Sequence, residues 1–149
     1  MTAETTTART TTDEGRTPAQ LYSLVFGITL LAVGILGFFA NATWGTGSDV
    51  SGDNLIIFEV NGWHNLVHIA SGLVGIAMAG KAASARLYAL GFGAIYLVVT
   101  IFGFITGDHV LWFIPVNTAD NFLHLAIAVT GIAAGLASET KPGRGTARA

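Results

Sequence analysis

The chain has 149 residues, 52% of them hydrophobic and only 11% charged, against a usual charged share near a quarter. The length suits one domain, and the composition suits lipid rather than water. A formal net charge of −2 gives nucleic acid no footing, and the absence of cysteine excludes disulfides, thiolate metal sites, covalent c-type haem attachment and cysteine nucleophiles.

Residues 1–17 are Thr-rich and polar, cannot bury apolar surface, and are expected to be a disordered cytoplasmic tail. Four apolar stretches follow, at Ala19–Ala40, Gly62–Gly80, Leu87–Thr106 and Thr118–Ala137. Each is about long enough to cross a hydrocarbon core of ~30 Å. The expected fold class is therefore all-α: an integral membrane four-helix bundle over residues 18–137, with a second cytoplasmic tail over 138–149. Ala40-Asn41-Ala42 fits a small-x-small cleavage pattern. The apolar run before it is longer than a signal core and its leader carries acids, so the first span is read as part of the fold.

All seven basic residues sort to one side. Arg9 and Arg16 precede the first span, Lys81 and Arg86 lie between the second and third, and Lys141, Arg144 and Arg148 follow the fourth. The two other connections carry Asp49, Asp53, Glu59 and Asp108 instead. The positive-inside rule then predicts a multi-pass protein of the cell membrane with both termini cytoplasmic. It also puts Trp44, Trp63 and Trp112 at the outer interface, and Tyr22 and Tyr88 at the inner one as amphipathic anchors.

The second and fourth spans repeat one another. Asn61, Asn65, His68 and Gly75 recur as Asn117, Asn121, His124 and Gly131, each 56 positions on. The first and third also match, LYSLVFG at Leu21 with LYALGFG at Leu87, at an offset of 66. The chain thus reads as two tandem transmembrane hairpins, about 18–80 and 85–137, in one orientation: a parallel internal repeat. Short apolar segments, Leu55–Val60 and Leu111–Val116, precede the second helix of each unit and are expected to lie at the interface or lid the outer end.

Asn61 and Asn117 directly precede their helices and read as N-caps, with Asp120 placed to bond back to the cap. Asn65 and Asn121 read as interhelical glue. At 100° per residue these positions share a stripe with Gly72 and Gly75, or with Gly131 and Gly135. The two stripes are expected to face each other or the bundle centre, since small residues let membrane helices approach closely.

His68 and His124 admit two readings: neutral imidazoles bridging helices, or a site for a metal, a haem iron or a proton, because intramembrane ionisable groups are costly. His64, one turn before His68, corresponds to Asp120 in the second unit. Equivalent residues near a pseudo-two-fold axis meet, so a His64–Asp120 hydrogen bond or ion pair is expected. His64, His68, Asp120 and His124 are the candidate metal or ligand residues. No Ser-His-Asp spacing or carboxylate pair suggests hydrolysis, so an enzyme is not expected.

The motifs GWHNLVH (Gly62–His68), ARLYALGFG (Ala85–Gly93) and PVNTADNFLHL (Pro115–Leu125) resemble, in order and spacing, a bacterial family of small four-span membrane proteins catalogued as domain of unknown function 4383. The resemblance covers roughly residues 18–137. It implies an integral membrane protein of this size and brings no activity or cofactor with it. Three readings follow: a structural or interaction module assembling with itself or with other membrane proteins; a metal, proton or small-ligand site used in sensing or transport; and a bis-histidine haem carrier. The missing catalytic chemistry puts the module first.

Overall fold

The computed structural model describes residues 15–138, so the disorder expected for the N-terminal tail, most of the C-terminal tail, and Arg9, Lys141, Arg144 and Arg148 lie outside the described residues. Four helices run α1 (Pro18–Ala40), α2 (Gly62–Met78), α3 (Ala82–Thr106) and α4 (Thr118–Leu136). α1, α3 and α4 are long and apolar enough to cross a membrane. α2 has 17 residues, about 25 Å of rise at 1.5 Å per residue, and is shorter than the expected span because the chain turns at Ala79 and Gly80.

Several helix ends carry local signals. Pro18 opens α1 behind a Thr17–Gln20 capping box, which satisfies two of the amide groups a helix start leaves unpaired. Gly107 ends α3 at φ 89°, a left-handed cap that favours glycine. The starts of α1 and α3 are tied to the ends of α2 and α4. Gln20 Nε2 donates to the Ala79 carbonyl at the end of α2 (3.1 Å), and Arg86 Nε donates to the Gly135 carbonyl near the end of α4 (3.0 Å).

The short apolar segments form antiparallel hairpins rather than plain loops. β1 (Asp53–Leu55) pairs with β2 (Phe58–Val60), and β3 (His109–Val110) pairs with β4 (Ile114–Pro115). This adds two small sheets to a mostly helical chain. Both lie at the end where α2 and α4 begin. Trp44 and Trp63 meet there edge to face at 4.9 Å, and Trp63 reaches Phe113 at 5.6 Å.

The closely packed helix pairs are α1 with α2 and α3 with α4. Gly27 and Gly72 face each other so tightly that a Cβ on Gly72 would lie 2.7 Å from the Gly27 carbonyl oxygen. The small-residue stripes therefore do not face one another. Gly72 packs on α1, Gly75 on the Tyr88 ring, Gly131 on the Tyr22 hydroxyl and Gly135 on Leu90. A tight antiparallel turn brings hairpin partners into contact first, and glycine is used where their backbones close.

Tyr22 and Tyr88 are likewise buried in the core rather than set at an interface. Tyr22 donates to the Ile127 carbonyl of α4 (2.9 Å), and Tyr88 to the Ser71 carbonyl of α2 (3.1 Å). The exterior of the helices carries exposed Leu, Ile, Val and Phe, while Ser23, Asn65, Thr100 and Asn121 are buried. A water-soluble bundle has the opposite distribution.

Asn65 and Asn121 rest their Oδ1 atoms against Gly37 and Gly103, where no β-carbon fits. Gly37→Ala and Gly103→Ala are each expected to destabilise by about 1–3 kcal/mol through overpacking. Gly91, whose added Cβ meets nothing within 4 Å, serves as control. Gly91→Ala should be neutral or stabilising by up to ~1 kcal/mol from helix propensity. Thermal unfolding in detergent micelles measures all three.

Candidate functional site: a buried histidine cluster

The site begins with the caps. Asn61 Oδ1 accepts the His64 amide (2.9 Å) and Asn117 Oδ1 accepts the Asp120 amide (3.1 Å). Each side chain also spends its amide on the opposite hairpin. Asn61 Nδ2 donates to the Phe113 carbonyl (2.9 Å), and Asn117 Nδ2 donates to the Ile57 carbonyl (2.9 Å). These crossed bonds set the starts of α2 and α4 side by side beneath the hairpins.

Three imidazoles then converge. His64, His68 and His124 each present a ring nitrogen within 4.8 Å of the other two. The His64 ring lies 4.4 Å from that of His68 and 5.9 Å from that of His124. Tyr96 of α3 meets His124 edge-on at 5.1 Å. All three histidines are buried, none more than 8% exposed. His64 Nδ1 donates to the Glu59 carbonyl (2.9 Å). A carbonyl can only accept, so the proton sits on Nδ1 and a neutral ring keeps its lone pair on Nε2. Nδ1 of His68 and Nδ1 of His124 are buried without a hydrogen-bond partner. Such atoms are uncommon in folded chains and call for a water, ion or ligand.

The rings line a cavity of about 120 Å³ with Ser71, Phe92, Tyr96 and Ile114 among its walls. Drug-sized ligand pockets run roughly 300–1,000 Å³, so a porphyrin does not fit among these packed rings.

Asp120 stands apart from this cluster. Its Oδ2 accepts the amides of Asn117 (2.9 Å), completing a capping box, and of Glu59 (2.9 Å). Among the described residues no His64–Asp120 hydrogen bond or ion pair is formed. The two residues instead grip opposite sides of Glu59, one at its carbonyl and one at its amide. The sequence could not show this, because the peptide groups between them belong to a hairpin whose path the helical spacing does not encode.

Asn65 Nδ2 donates to the carbonyl of Asn41 (2.9 Å), the residue that caps the end of α1. Asp108 and His109 pair at 2.6 Å at the start of the second hairpin. The Glu59 carboxyl lies above its ordinary value, chiefly through burial and secondarily through Asp108 and Asp53.

Sequence reasoning missed Tyr96 and Ser71 as walls of the cavity. Tyr96 had a signal: it stands where the first unit carries Leu30, a break in the repeat like that of His64 and Asp120. Asp120→Ala should orphan two partly buried amides and cost about 1–3 kcal/mol for each. Asp120→Asn keeps an acceptor oxygen and should lose clearly less; denaturant titration of the two variants gives the comparison.

The family model described as Domain of unknown function (DUF4383) matches residues 20–137, and the chain belongs to that family. No curated protein and no solved structure matches the chain.

Proposed function

We propose that this is a multi-pass membrane protein that binds a first-row transition-metal ion, zinc or copper, through His64, His68 and His124. The convergence of three buried ring nitrogens within 4.8 Å carries the reading. Imidazole suits Zn and Cu, and three protein ligands leave one coordination position open. A tetrahedral zinc with Zn–N of about 2.0–2.1 Å needs nitrogens roughly 3.3 Å apart, so nitrogens now within 4.8 Å of one another would close by up to about 1.5 Å on loading. The His64 Nδ1–H···O=C bond to Glu59 is the arrangement that orients a metal-bound histidine and fixes its tautomer.

The structural-module reading draws support from Asn61, Asn117, Tyr22 and Tyr88, whose polar groups are satisfied within the chain. It leaves the unpartnered nitrogens of His68 and His124 without a role, which is why the metal reading stands ahead of it. The protein acts as a binding protein in sensing or transport rather than as an enzyme.

In this reading all four helices cross the bilayer, α2 with the help of its hairpin. The chain is two fused hairpins related by an axis along the membrane normal. Recurrence supports this: Tyr22 on Gly131 mirrors Tyr88 on Gly75, and Gly37 under Asn65 mirrors Gly103 under Asn121. The sorting of the basic residues in the sequence supports cytoplasmic termini and histidines toward the outer face. Four spans make a thin transporter, so transport would run through a homo-oligomer.

Elemental analysis of the detergent-purified chain tests the proposal. About one zinc or copper per chain is expected in the wild type, and none in the His68→Ala/His124→Ala protein. A folded wild type that stays metal-free after incubation with either ion overturns it. Cobalt loading should give a visible d–d spectrum typical of tetrahedral nitrogen ligation, and dropping the pH below the imidazole range should bleach it, since metal binding needs neutral histidine.

A further inference from the structure

The histidine cavity adjoins two larger apolar spaces on the outside of the bundle. One, about 410 Å³, shares Ser71, Phe92 and Ile95 with it; the other, about 360 Å³, shares Ile95 and Val99. Ile95 lines all three, which sets the spaces side by side along α3 as a groove next to the histidines. The outer end is roofed by the second hairpin: Val110 and Leu111 line the groove with Phe102 of α3.

That roof is held under strain. Leu111 and Trp112 adopt φ 55° and 57°, a left-handed conformation that bulky L-residues rarely take and that clusters at ligand clamps and other functional sites. A turn built only to connect two strands would place Gly or Asn there. Leu111 lines the groove from this turn while the residue stays 61% exposed.

We propose that this groove and cavity bind a single-chain membrane amphiphile with a small oxyanion head, a long-chain carboxylate. Its tail lies along α3 under Leu111, and its carboxylate reaches the open position of the three-histidine metal site. The inference rests on the metal reading, and charge balance selects the head. Three neutral imidazoles leave a bound dication uncompensated. Neither carboxylate nearest the cluster, Asp120 or Glu59, is among the converging ligand atoms, and Asp120 is held by two peptide amides. A charge left unpaired in a low-dielectric interior is costly, and a fatty carboxylate supplies both the counter-charge and the fourth ligand.

Size selects it as well. His68 lies about 9 Å along α2 from Gly62 at 1.5 Å per residue, below the headgroup layer. A cavity of about 120 Å³ admits a carboxylate but not a phospholipid headgroup. A small polar solute from water would have no use for the apolar walls of the groove.

Photolabelling tests the proposal. The full chain, zinc-loaded and with its metal content measured, is placed in phosphatidylcholine nanodiscs with a long-chain fatty acid bearing a mid-chain diazirine. Labelling is expected on the groove face of α3 and on the Leu111 hairpin. An unlabelled fatty acid should compete; the matching fatty alcohol and excess phosphatidylglycerol should not. Val98→Trp fills the groove at a position already 51% exposed that does not line the histidine cavity. It should cut labelling about tenfold, the equivalent of ~1.4 kcal/mol, while zinc content stays unchanged. Leu36→Trp, at an exposed position on α1, should leave labelling as it was.

Labelling spread evenly over the four helices, equal competition by the alcohol, or full labelling of Val98→Trp overturns the proposal. Competition by phosphatidylglycerol alone assigns the groove to a lipid headgroup and overturns the carboxylate. A wild type that takes up no zinc or copper fails the metal reading on its own count, before any label is added. A zinc-loaded protein that labels without groove specificity fails only the amphiphile.

Discussion

The end of this protein where α2 and α4 begin depends on two asparagine side chains that each satisfy two elements at once. Oδ1 of Asn61 caps α2 while its Nδ2 holds a carbonyl of the second hairpin. Oδ1 of Asn117 caps α4 while its Nδ2 holds a carbonyl of the first. A helix start with unpaired amides is costly where water is scarce, so each cap is strongly selected for its own helix. Tying the spare amide to the other hairpin turns two local requirements into one fixed distance between α2 and α4. His68 and His124 lie seven residues beyond their caps, so that distance also sets how closely their rings approach.

Upon this near-symmetric frame a few substitutions decide the chemistry. His64 and Asp120 occupy equivalent positions, and both turn to the same residue, Glu59, in the first hairpin. With histidine at both positions a fourth imidazole would crowd the cluster, and the Glu59 and Asn117 amides would lose their acceptor. With aspartate at both, the Glu59 carbonyl would face a carboxylate that cannot donate, and the third imidazole would be gone. The mixed pair satisfies the amide and the carbonyl of one peptide residue and leaves three imidazoles together. Tyr96 in place of a leucine then adds an aromatic edge to His124 on the side that opens toward α3.

Much of the helical frame was legible because its signals are local. The ends of α1, α2 and α4 follow from Pro18, the two asparagine caps and the limits of the apolar runs, and the capping box of Asn117 and Asp120 follows from their spacing. The depth of His68 and His124 needed only the helical rise. What could not be read depends on non-local geometry. Tyr22 and Tyr88 look like interfacial anchors by position, yet they cross to α4 and α2 and bond carbonyls there. Gly72 and Gly75 share a stripe with His68, yet the glycines meet α1 and Tyr88 while the histidine meets His64. One stripe on a helix can touch several neighbours along its length, and periodicity does not say which. The hairpins carry no Gly or Asn at Ile56, Leu111 or Trp112, so their turns gave no sequence signal. The residues there accept an unfavourable φ instead.

The strained turn and the histidine cluster are mechanically connected. Ile114 follows the Leu111–Trp112 turn and lines the histidine cavity, while Phe113 between them holds Asn61, the cap of the helix that carries His64 and His68. Movement of the second hairpin therefore disturbs the roof of the groove, the wall of the cavity and the start of α2 together. In the proposed reading, an occupant pressing on Leu111 would alter the setting of two of the three imidazoles without touching them, and an ion drawing the rings together would pull in turn on the hairpin above. Coupling of this kind changes the affinity for each ligand by the same factor when the other is bound. In a fold with so few polar groups outside the cluster, this one hairpin is the element through which both would act.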